Sequence, residues 1–185
     1  CDRDPSLTEE QIDNCTFSVL FGSARIRGIE SEIQGAITPN LQVSGGFALM
    51  QSRITKTDAV YESDAARLGQ SFEGNRFANT PEKQFSLALT YAWREWGLAK
   101  LKTSLGVVHV GQRYGNQGNT ISLPSYTLVD VGVSYRFGAK TTLALNVSNL
   151  LDETYYTAMQ SSSDRADQVG VGNRRLMQLL LRQVF

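Results

Sequence analysis

From about residue 41 onward, apolar residues alternate with small or polar residues over segments of ten or more positions. The clearest segment places Phe85, Leu87, Leu89, Tyr91 and Trp93 at odd positions, with Gln84, Ser86, Ala88, Thr90 and Ala92 between them. Successive side chains of a β-strand point to opposite faces of a sheet, so a period of two indicates a strand. The pattern recurs in 41–50, 98–108, 126–137, 142–152 and 174–185, which predicts an all-β, antiparallel chain of long strands.

Charged residues are divided unevenly between the two faces of these strands. Odd positions carry no charge in the segments between 41 and 152, and Arg175 is the exception at the start of the last segment. Even positions carry Arg94, Lys100, Lys102, Asp130, Arg136 and Asp152. A soluble sandwich would carry many charges on its solvent face, whereas the polar face here is mostly small and uncharged. Because a charge at mid-bilayer costs roughly 2 to 4 kcal/mol, the division favours a transmembrane β-barrel with its odd face in lipid.

Segment lengths and connections agree with a barrel. A tilted strand needs about 9 to 11 residues to cross a membrane, and aromatic girdles are expected near strand ends, where Tyr91, Trp93, Tyr135 and Phe137 lie. Short turns at 38–40, 95–97 and 138–140 alternate with long polar loops near 56–82, 113–124 and 157–172. In bacterial barrels the short turns face the periplasm, so we expect the long loops to lie outside the cell.

A further strand is predicted at about 17–37, which brings the number of strands to seven. Ile29, Ile33 and Ile37 share its odd face, but Arg25 and Arg27 lie on the same face. We therefore expect the upper part of this strand to rise above the membrane or to contain a bulge. Because seven strands would leave an open edge in lipid, we expect the chain to form part of a larger barrel.

Composition excludes several functions. The 18 basic and 18 acidic side chains balance, which removes the electrostatic signature of nucleic-acid binding. One histidine and two cysteines do not suffice for a structural zinc site, so no protein-bound metal is expected. His109 is the only imidazole, and its odd position places it on the outer wall without an acidic partner. We therefore expect no catalytic residues and no enzymatic activity.

Cys1 and Cys15 lie in the segment that precedes the first predicted strand. With the long loops outside the cell, this segment is also extracellular, and its surroundings are oxidising enough for the two thiols to pair. We therefore predict a Cys1–Cys15 disulfide. The alternative for Cys1 is the lipidated first residue of a lipoprotein.

Several short segments together resemble the C-terminal part of TonB-dependent siderophore receptors, with matching order and spacing over about residues 24–185. These segments are Ala24–Glu30, Asn79–Glu82, Gly111–Gly115, Leu123–Asp130, Asn146–Asp152 and the terminal Phe185. The resemblance implies a 22-stranded barrel in the outer membrane of a Gram-negative bacterium, closed by an N-terminal plug domain. Residues 1–185 would be its last seven strands, and the plug would precede them.

The resemblance also implies a function and partners. The protein would bind a ferric siderophore at the cell surface and import it with energy from the TonB complex, with iron as substrate and no cofactor held directly by protein ligands. Aromatic and basic residues of the outer loops are the expected ligand contacts: Arg76, Phe77, Arg113, Tyr114, Tyr155 and Tyr156. Phe185 would be read by the barrel-assembly machinery, although Gln183 departs from the usual apolar residue at its position. Lipopolysaccharide and other outer-membrane lipids would surround the barrel.

Two other functions fit parts of the sequence. A complete small outer-membrane barrel with a structural, adhesive or hydrolase role would need an eighth strand in 1–16, a stretch without alternation. A soluble carbohydrate-binding sandwich would carry charges on both faces of its edge strands, which the charge distribution disfavours.

Overall fold

The computed structural model describes residues 22–57, 72–160 and 168–184. Cys1, Cys15 and Phe185 lie outside the described residues, so the disulfide and the assembly signal stay predictions. Within the described ranges, no helix has the length and apolar character needed to cross a membrane.

The described residues form antiparallel β-strands. In chain order these are β1 (Gly22–Ala36), β2 (Leu41–Thr57), β3 (Lys83–Ala92), β4 (Leu101–Val110), β5 (Arg113–Tyr114), β6 (Ser122–Leu123), β7 (Tyr126–Phe137), β8 (Thr141–Ser148), β9 (Tyr156–Gln160), β10 (Gln168–Val171) and β11 (Leu176–Gln183). Seven of them make one sheet in the order β1-β2-β3-β4-β7-β8-β11. These seven correspond to the seven strands predicted from the sequence, which confirms the predicted all-β fold.

The register keeps the two faces separate across the sheet. Odd residues pair with odd residues, as in Val43 with Leu89, Leu89 with Leu105, and Leu105 with Val131. The apolar positions therefore form one continuous face, and many of its side chains are exposed, including Ile33 and Leu179. A sheet face with this much exposed apolar surface requires an apolar environment, as the outer wall of a membrane barrel has.

The arginines on the first strand lie in a polar zone above this apolar face. Arg25 pairs with Arg53 and Arg27 pairs with Gln51, in the same odd-to-odd register as the apolar residues below. A β-bulge does occur, but it lies between Ser23 and Ala24, beyond both arginines. Arg25 and Arg27 therefore stay on the outward face, and the strand extends past the apolar band as expected.

Several predicted strand boundaries were wrong: the strand predicted at 41–50 continues to Thr57, and local turns shorten two others. The segment 98–108 begins its strand only at Leu101, since a 3₁₀ helix (Arg94–Trp96) and a left-handed Gly97 occupy the turn. The segment 142–152 ends its strand at Ser148, because Asn149 and Asp152 have positive φ angles of 49° and 57°. The odd and even alternation therefore does not assign Asp152 to a face.

The lower edge of the sheet carries an aromatic cluster, as predicted for a membrane girdle. The rings of Tyr91 and Trp93 meet edge to face at 5.0 Å, and those of Tyr135 and Phe137 do so at 4.7 Å. The indole N–H of Trp93 donates to Thr103 Oγ1. Amphipathic aromatic groups of this kind are typical of a membrane–water interface.

Candidate functional site

All three long connections lie at the upper edge of the sheet, opposite the short turns. We call their described parts the loop cluster. It consists of residues 72–82, 111–125, 149–160 and 168–175. It contains two small sheets that were not predicted, β5 with β6 and β9 with β10. Strands of two to five residues are too short to show a period of two in the sequence.

Asn79 connects all three parts of the loop cluster. Its backbone N–H donates to the Tyr114 carbonyl over 2.6 Å. Its side chain accepts from the Met159 N–H at 2.9 Å and donates to the Met159 carbonyl at 2.8 Å. Asn79 also has a φ of 56°, a left-handed conformation that asparagine tolerates better than most residues. One asparagine thus satisfies a backbone donor and acceptor 80 residues away in the chain.

A second asparagine holds the first two connections together. Asn119, with a φ of 56°, accepts from the Arg76 N–H at 2.8 Å and donates to the Arg76 carbonyl at 2.9 Å. Asn75 donates from its side chain to the Gln117 carbonyl at 3.0 Å. The backbone around Arg76 is therefore fixed by side chains from the neighbouring connection.

Arg76 and Tyr114, two of the predicted ligand contacts, lie beside each other. The guanidinium of Arg76 lies 5.7 Å from the centre of the Tyr114 ring and forms an ion pair of 2.9 Å with Glu82. The Arg76 side chain is about one-third exposed. Tyr114 is also partly exposed. This pair presents an aromatic surface and a cation at the upper edge of the sheet.

Arg113 is buried within the loop cluster. It is only 3% exposed, and its Nη2 donates to the carbonyls of Tyr156 and Thr157. Its guanidinium also lies 5.6 Å from the Tyr126 ring, which packs against Tyr155 at 4.6 Å. Arg113 therefore links the second connection to the third.

Phe77 and Tyr155 also make contacts inside the protein. Phe77 packs against the buried pair Ile54 and Phe72, and its N–H donates to Ser52 Oγ. Tyr155 lies so close to Gly172 that a Cβ at that position would sit 2.0 Å from the ring. Tyr156 begins β9 and is partly exposed. The structure thus brings the six predicted residues to one edge of the sheet, where Arg113, Phe77 and Tyr155 make contacts inside the protein.

The turn after β8 is held by polar contacts. Asn149 donates to the carbonyls of Glu153 and Asn173 and accepts from the Glu153 N–H. Asp152 accepts two hydrogen bonds from the Arg174 guanidinium, and these bonds hold the pKa of its carboxyl well below the ordinary range. This carboxylate stays charged throughout the neutral and mildly acidic range, and its contribution to the turn is lost only at strongly acidic pH.

The roles of Asn79, Asn119 and Asn149 in holding the loops together were not predicted from the sequence. All three have positive φ angles, and asparagine is enriched in that conformation because its side chain bonds to nearby backbone. An asparagine inside a long polar loop therefore indicates a possible left-handed residue whose side chain bonds to the backbone of the loops.

Replacing Asn79 with alanine is expected to remove both hydrogen bonds to Met159. The loss should destabilise the attachment of β9 by about 2 kcal/mol, since each bond contributes roughly 1 kcal/mol. Hydrogen exchange at the Met159 amide should accelerate about 30-fold, the rate ratio that corresponds to this energy. The control Thr80→Ala, which removes only a contact within the same connection, should leave the rate unchanged. Equal rates in the two variants would contradict the bracing role of Asn79.

His109 lies on the outward face, where Thr127 Oγ1 is 2.9 Å from its Nδ1. The strand positions paired beside it on that face are Phe85 and Thr127, neither of which is acidic. Within residues 22–57, 72–160 and 168–184, no group of three or more His, Cys, Asp or Glu residues could hold a metal ion.

Comparisons with known proteins agree with this architecture. The family model described as TonB dependent receptor-like, beta-barrel matches residues 2–150. A probable TonB-dependent siderophore receptor, PiuA of Acinetobacter baumannii, is 30% identical over 155 residues, which are 84% of this chain and 20% of the relative. The ferrichrome outer membrane transporter and phage receptor of Escherichia coli K12 is 34% identical over 143 residues, covering 75% of this chain and 18% of that protein.

Solved structures show the same likeness. The crystal structure of BauA, the ferric preacinetobactin receptor of Acinetobacter baumannii, superimposes with a TM-score of 0.72 at 25% identity, over 89% of this chain and 23% of that one. The chain spans about a fifth of the length of the curated relatives it matches. Its seven-stranded sheet thus corresponds to part of an outer-membrane β-barrel, and the chain belongs to the TonB-dependent receptor-like β-barrel family.

Proposed function

We propose that this chain is the C-terminal part of a receptor that binds a ferric siderophore at the cell surface and imports it with energy transmitted through TonB. The relatives named as siderophore receptors and the ferrichrome transporter support this proposal. Iron is then the substrate, carried by its chelator. The plug and the TonB-contacting segment would lie N-terminal to these residues.

The observation that carries the proposal is the braced loop cluster with an arginine and a tyrosine at its surface. Many ferric chelates are anionic or carbonyl-rich, and a guanidinium recognises such oxygens through charge-assisted hydrogen bonds. Arg76, Tyr114 and Tyr156 are partly exposed and are the ligand contacts we propose. Arg113, Phe77 and Tyr155 would act by positioning the loops that carry them.

We further propose that the protein is a transporter without enzymatic activity. His109 supports this, because it lies on the outward face beside Phe85 and Thr127, away from the loop cluster. A catalytic site would need an acid or base with oriented partners near a bound substrate.

Tyr114→Ala in the full-length receptor is expected to weaken ferric-siderophore binding about tenfold. The substitution removes both the aromatic surface and the ring against which the Arg76 guanidinium packs. Tyr114→Phe keeps the ring and should bind within threefold of the unmodified receptor. Equilibrium binding of ferrichrome, ferrioxamine and a ferric catecholate, each labelled with radioactive iron, measures the effect. If a bound chelate is insensitive to Tyr114→Ala, the proposed contact is wrong.

Uptake of the same labelled chelates by cells tests the function itself. Cells that produce the receptor should accumulate iron only when TonB is present. Uptake that persists without TonB, or a receptor that binds none of the ferric chelates at micromolar concentration, would contradict the proposed function.

A further inference from the structure

Arg76 is held in an ion pair with Glu82 at the surface of the loop cluster. Its Nε lies 2.9 Å from a carboxylate oxygen of Glu82, and the two side chains are exposed to a similar degree, 33% and 29%. This separation is much shorter than the roughly 8 Å over which salt screens charges in physiological solution. To a ligand in the solvent, the cation and the carboxylate therefore largely cancel.

The ion pair still offers hydrogen-bond donors. Glu82 contacts Nε, whereas a guanidinium carries most of its N–H groups on the two terminal nitrogens. A carbonyl oxygen can accept from these donors without any net charge on the site. A strongly anionic ligand gains from its charge only where the protein presents an uncompensated cation. The paired Arg76 therefore suits an uncharged ligand that is rich in oxygen acceptors.

The other arginines of the loop cluster are occupied by contacts within the protein. Arg113 is 3% exposed and donates to two backbone carbonyls. Arg174 donates two hydrogen bonds to Asp152, and the backbone N–H of Arg175 donates to the same carboxylate. The guanidinium of Arg175 donates to the Leu150 carbonyl at 3.3 Å. These contacts leave little positive charge for an anionic ligand.

The long connections contain more acidic than basic residues. In the described loop cluster the four arginines are matched by four acidic residues, which are Glu73, Glu82, Asp152 and Glu153. In the sequence, the rest of the same connections, 58–71 and 161–167, adds five acidic residues and two basic ones. The balance of charge in these connections is therefore negative, which disfavours the approach of an anion.

The even face of the sheet continues this negative character below the loop cluster. Glu30 and Glu32 lie at even positions of β1. Asp130 lies at an even position of β7, where its carboxylate accepts from the Asn149 N–H. A ligand that passed from the loop cluster toward the even face would therefore meet further carboxylates.

We propose that the site takes a ferric chelate without net negative charge, of the tris-hydroxamate class, and that Glu82 sets this preference by neutralising Arg76. Three hydroxamate groups balance the charge of Fe³⁺ and surround it with oxygen acceptors, whereas three catecholate groups leave the chelate with three negative charges. The inference rests on the proposed function, because it concerns the ligand bound at the same residues, and it adds the chemical class of that ligand.

The test uses the full-length receptor and three forms of one ferric tris-hydroxamate, ferrioxamine B. Its terminal amine is left free, acetylated or succinylated, so the three forms share one iron centre but carry a positive charge, no charge and a negative charge. The ferric tris-catecholate of enterobactin is the fourth probe. Equilibrium binding of each chelate, labelled with radioactive iron, then gives the dependence of affinity on charge.

The unmodified receptor should bind the acetylated form about fivefold more tightly than the succinylated form, the effect expected of one exposed charge, and the tris-catecholate more weakly still. Glu82→Gln should bind the succinylated form about fivefold more tightly than the unmodified receptor does, with the acetylated form within about twofold. The control Glu153→Gln removes the same charge from an exposed residue on another connection and should change both affinities less than about twofold.

Tighter binding of the succinylated form or of the tris-catecholate than of the acetylated form would overturn the inference and leave the proposed function standing. Equal gains from Glu82→Gln and Glu153→Gln would overturn the role of Glu82. The charge preference of the unmodified receptor tests the chemical class even if Glu82→Gln does not fold. A receptor that binds none of the ferric chelates would contradict the proposed function itself.

Discussion

Replacing Arg113 with methionine should release the β9–β10 hairpin from the rest of the loop cluster. Arg113 is almost fully buried and donates two hydrogen bonds to backbone carbonyls of β9. Hydrogen bonds from a charged donor contribute roughly 1.5 to 3 kcal/mol each, so the local opening free energy should fall by about 4 kcal/mol. Methionine fills much of the volume but offers no donor, which leaves both carbonyls unsatisfied.

Hydrogen exchange in the full-length receptor measures this release. Amides of residues 156–160 should exchange several hundred-fold faster or more, and ferric-siderophore affinity should fall because Tyr156 is no longer held. The neighbouring change Gln112→Ala removes only a contact with Ser122 and serves as the matched control. Unchanged exchange in Arg113→Met, with weaker ligand binding alone, would show that Arg113 contacts the ligand directly.

Introducing a charge on the outward face should strongly reduce folding into a membrane. Leu105 lies near the middle of β4, between Leu89 and Val131. Leu105→Arg would place a guanidinium at about the middle of the bilayer, at a cost of roughly 2 to 4 kcal/mol. Urea titration of the full-length receptor in lipid vesicles should show the lower stability. The folded fraction is measured by heat-modifiable migration in gel electrophoresis.

The adjacent position provides the control. Ser104→Arg adds the same side chain on the even face, where a polar interior solvates it, and should cost less than 1 kcal/mol. Ser104 pairs with Thr90 and Gly132, two small residues on that face. Equal losses from the two substitutions would mean that the two faces do not differ in environment.

The main sheet was predictable because its signal is repeated. Each of the seven strands has its own alternation, and the pairing of Leu89 with Leu105 follows once odd residues share a face. The strand ends were less predictable, since the left-handed residues Gly97 and Asn149 end the alternation through backbone geometry. The sequence shows only that glycine and asparagine are present at those positions.

The loop cluster was predictable in composition but not in contacts. The six aromatic and basic residues were expected at the outer edge, and they do lie there. Burial could not be predicted, because the depth of Arg113 depends on carbonyls more than 40 residues away. Likewise, the β-bulge in β2 depends on one extra residue, Thr55, between Ile54, which pairs with Ala24, and Lys56, which pairs with Ser23, and no sequence pattern marks it.

We infer that the odd face of this sheet lies in lipid and that the even face lies inside a barrel. Nitroxide labels at single cysteines along residues 101–109 of the full-length receptor, with Cys1 and Cys15 replaced by serine, test it directly. Accessibility to oxygen should be high at 101, 103, 105 and 107 and low at the even positions, with the reverse pattern for a water-soluble nickel complex. A uniform accessibility along the strand, or high nickel accessibility at the odd positions, would show that the odd face does not lie in lipid.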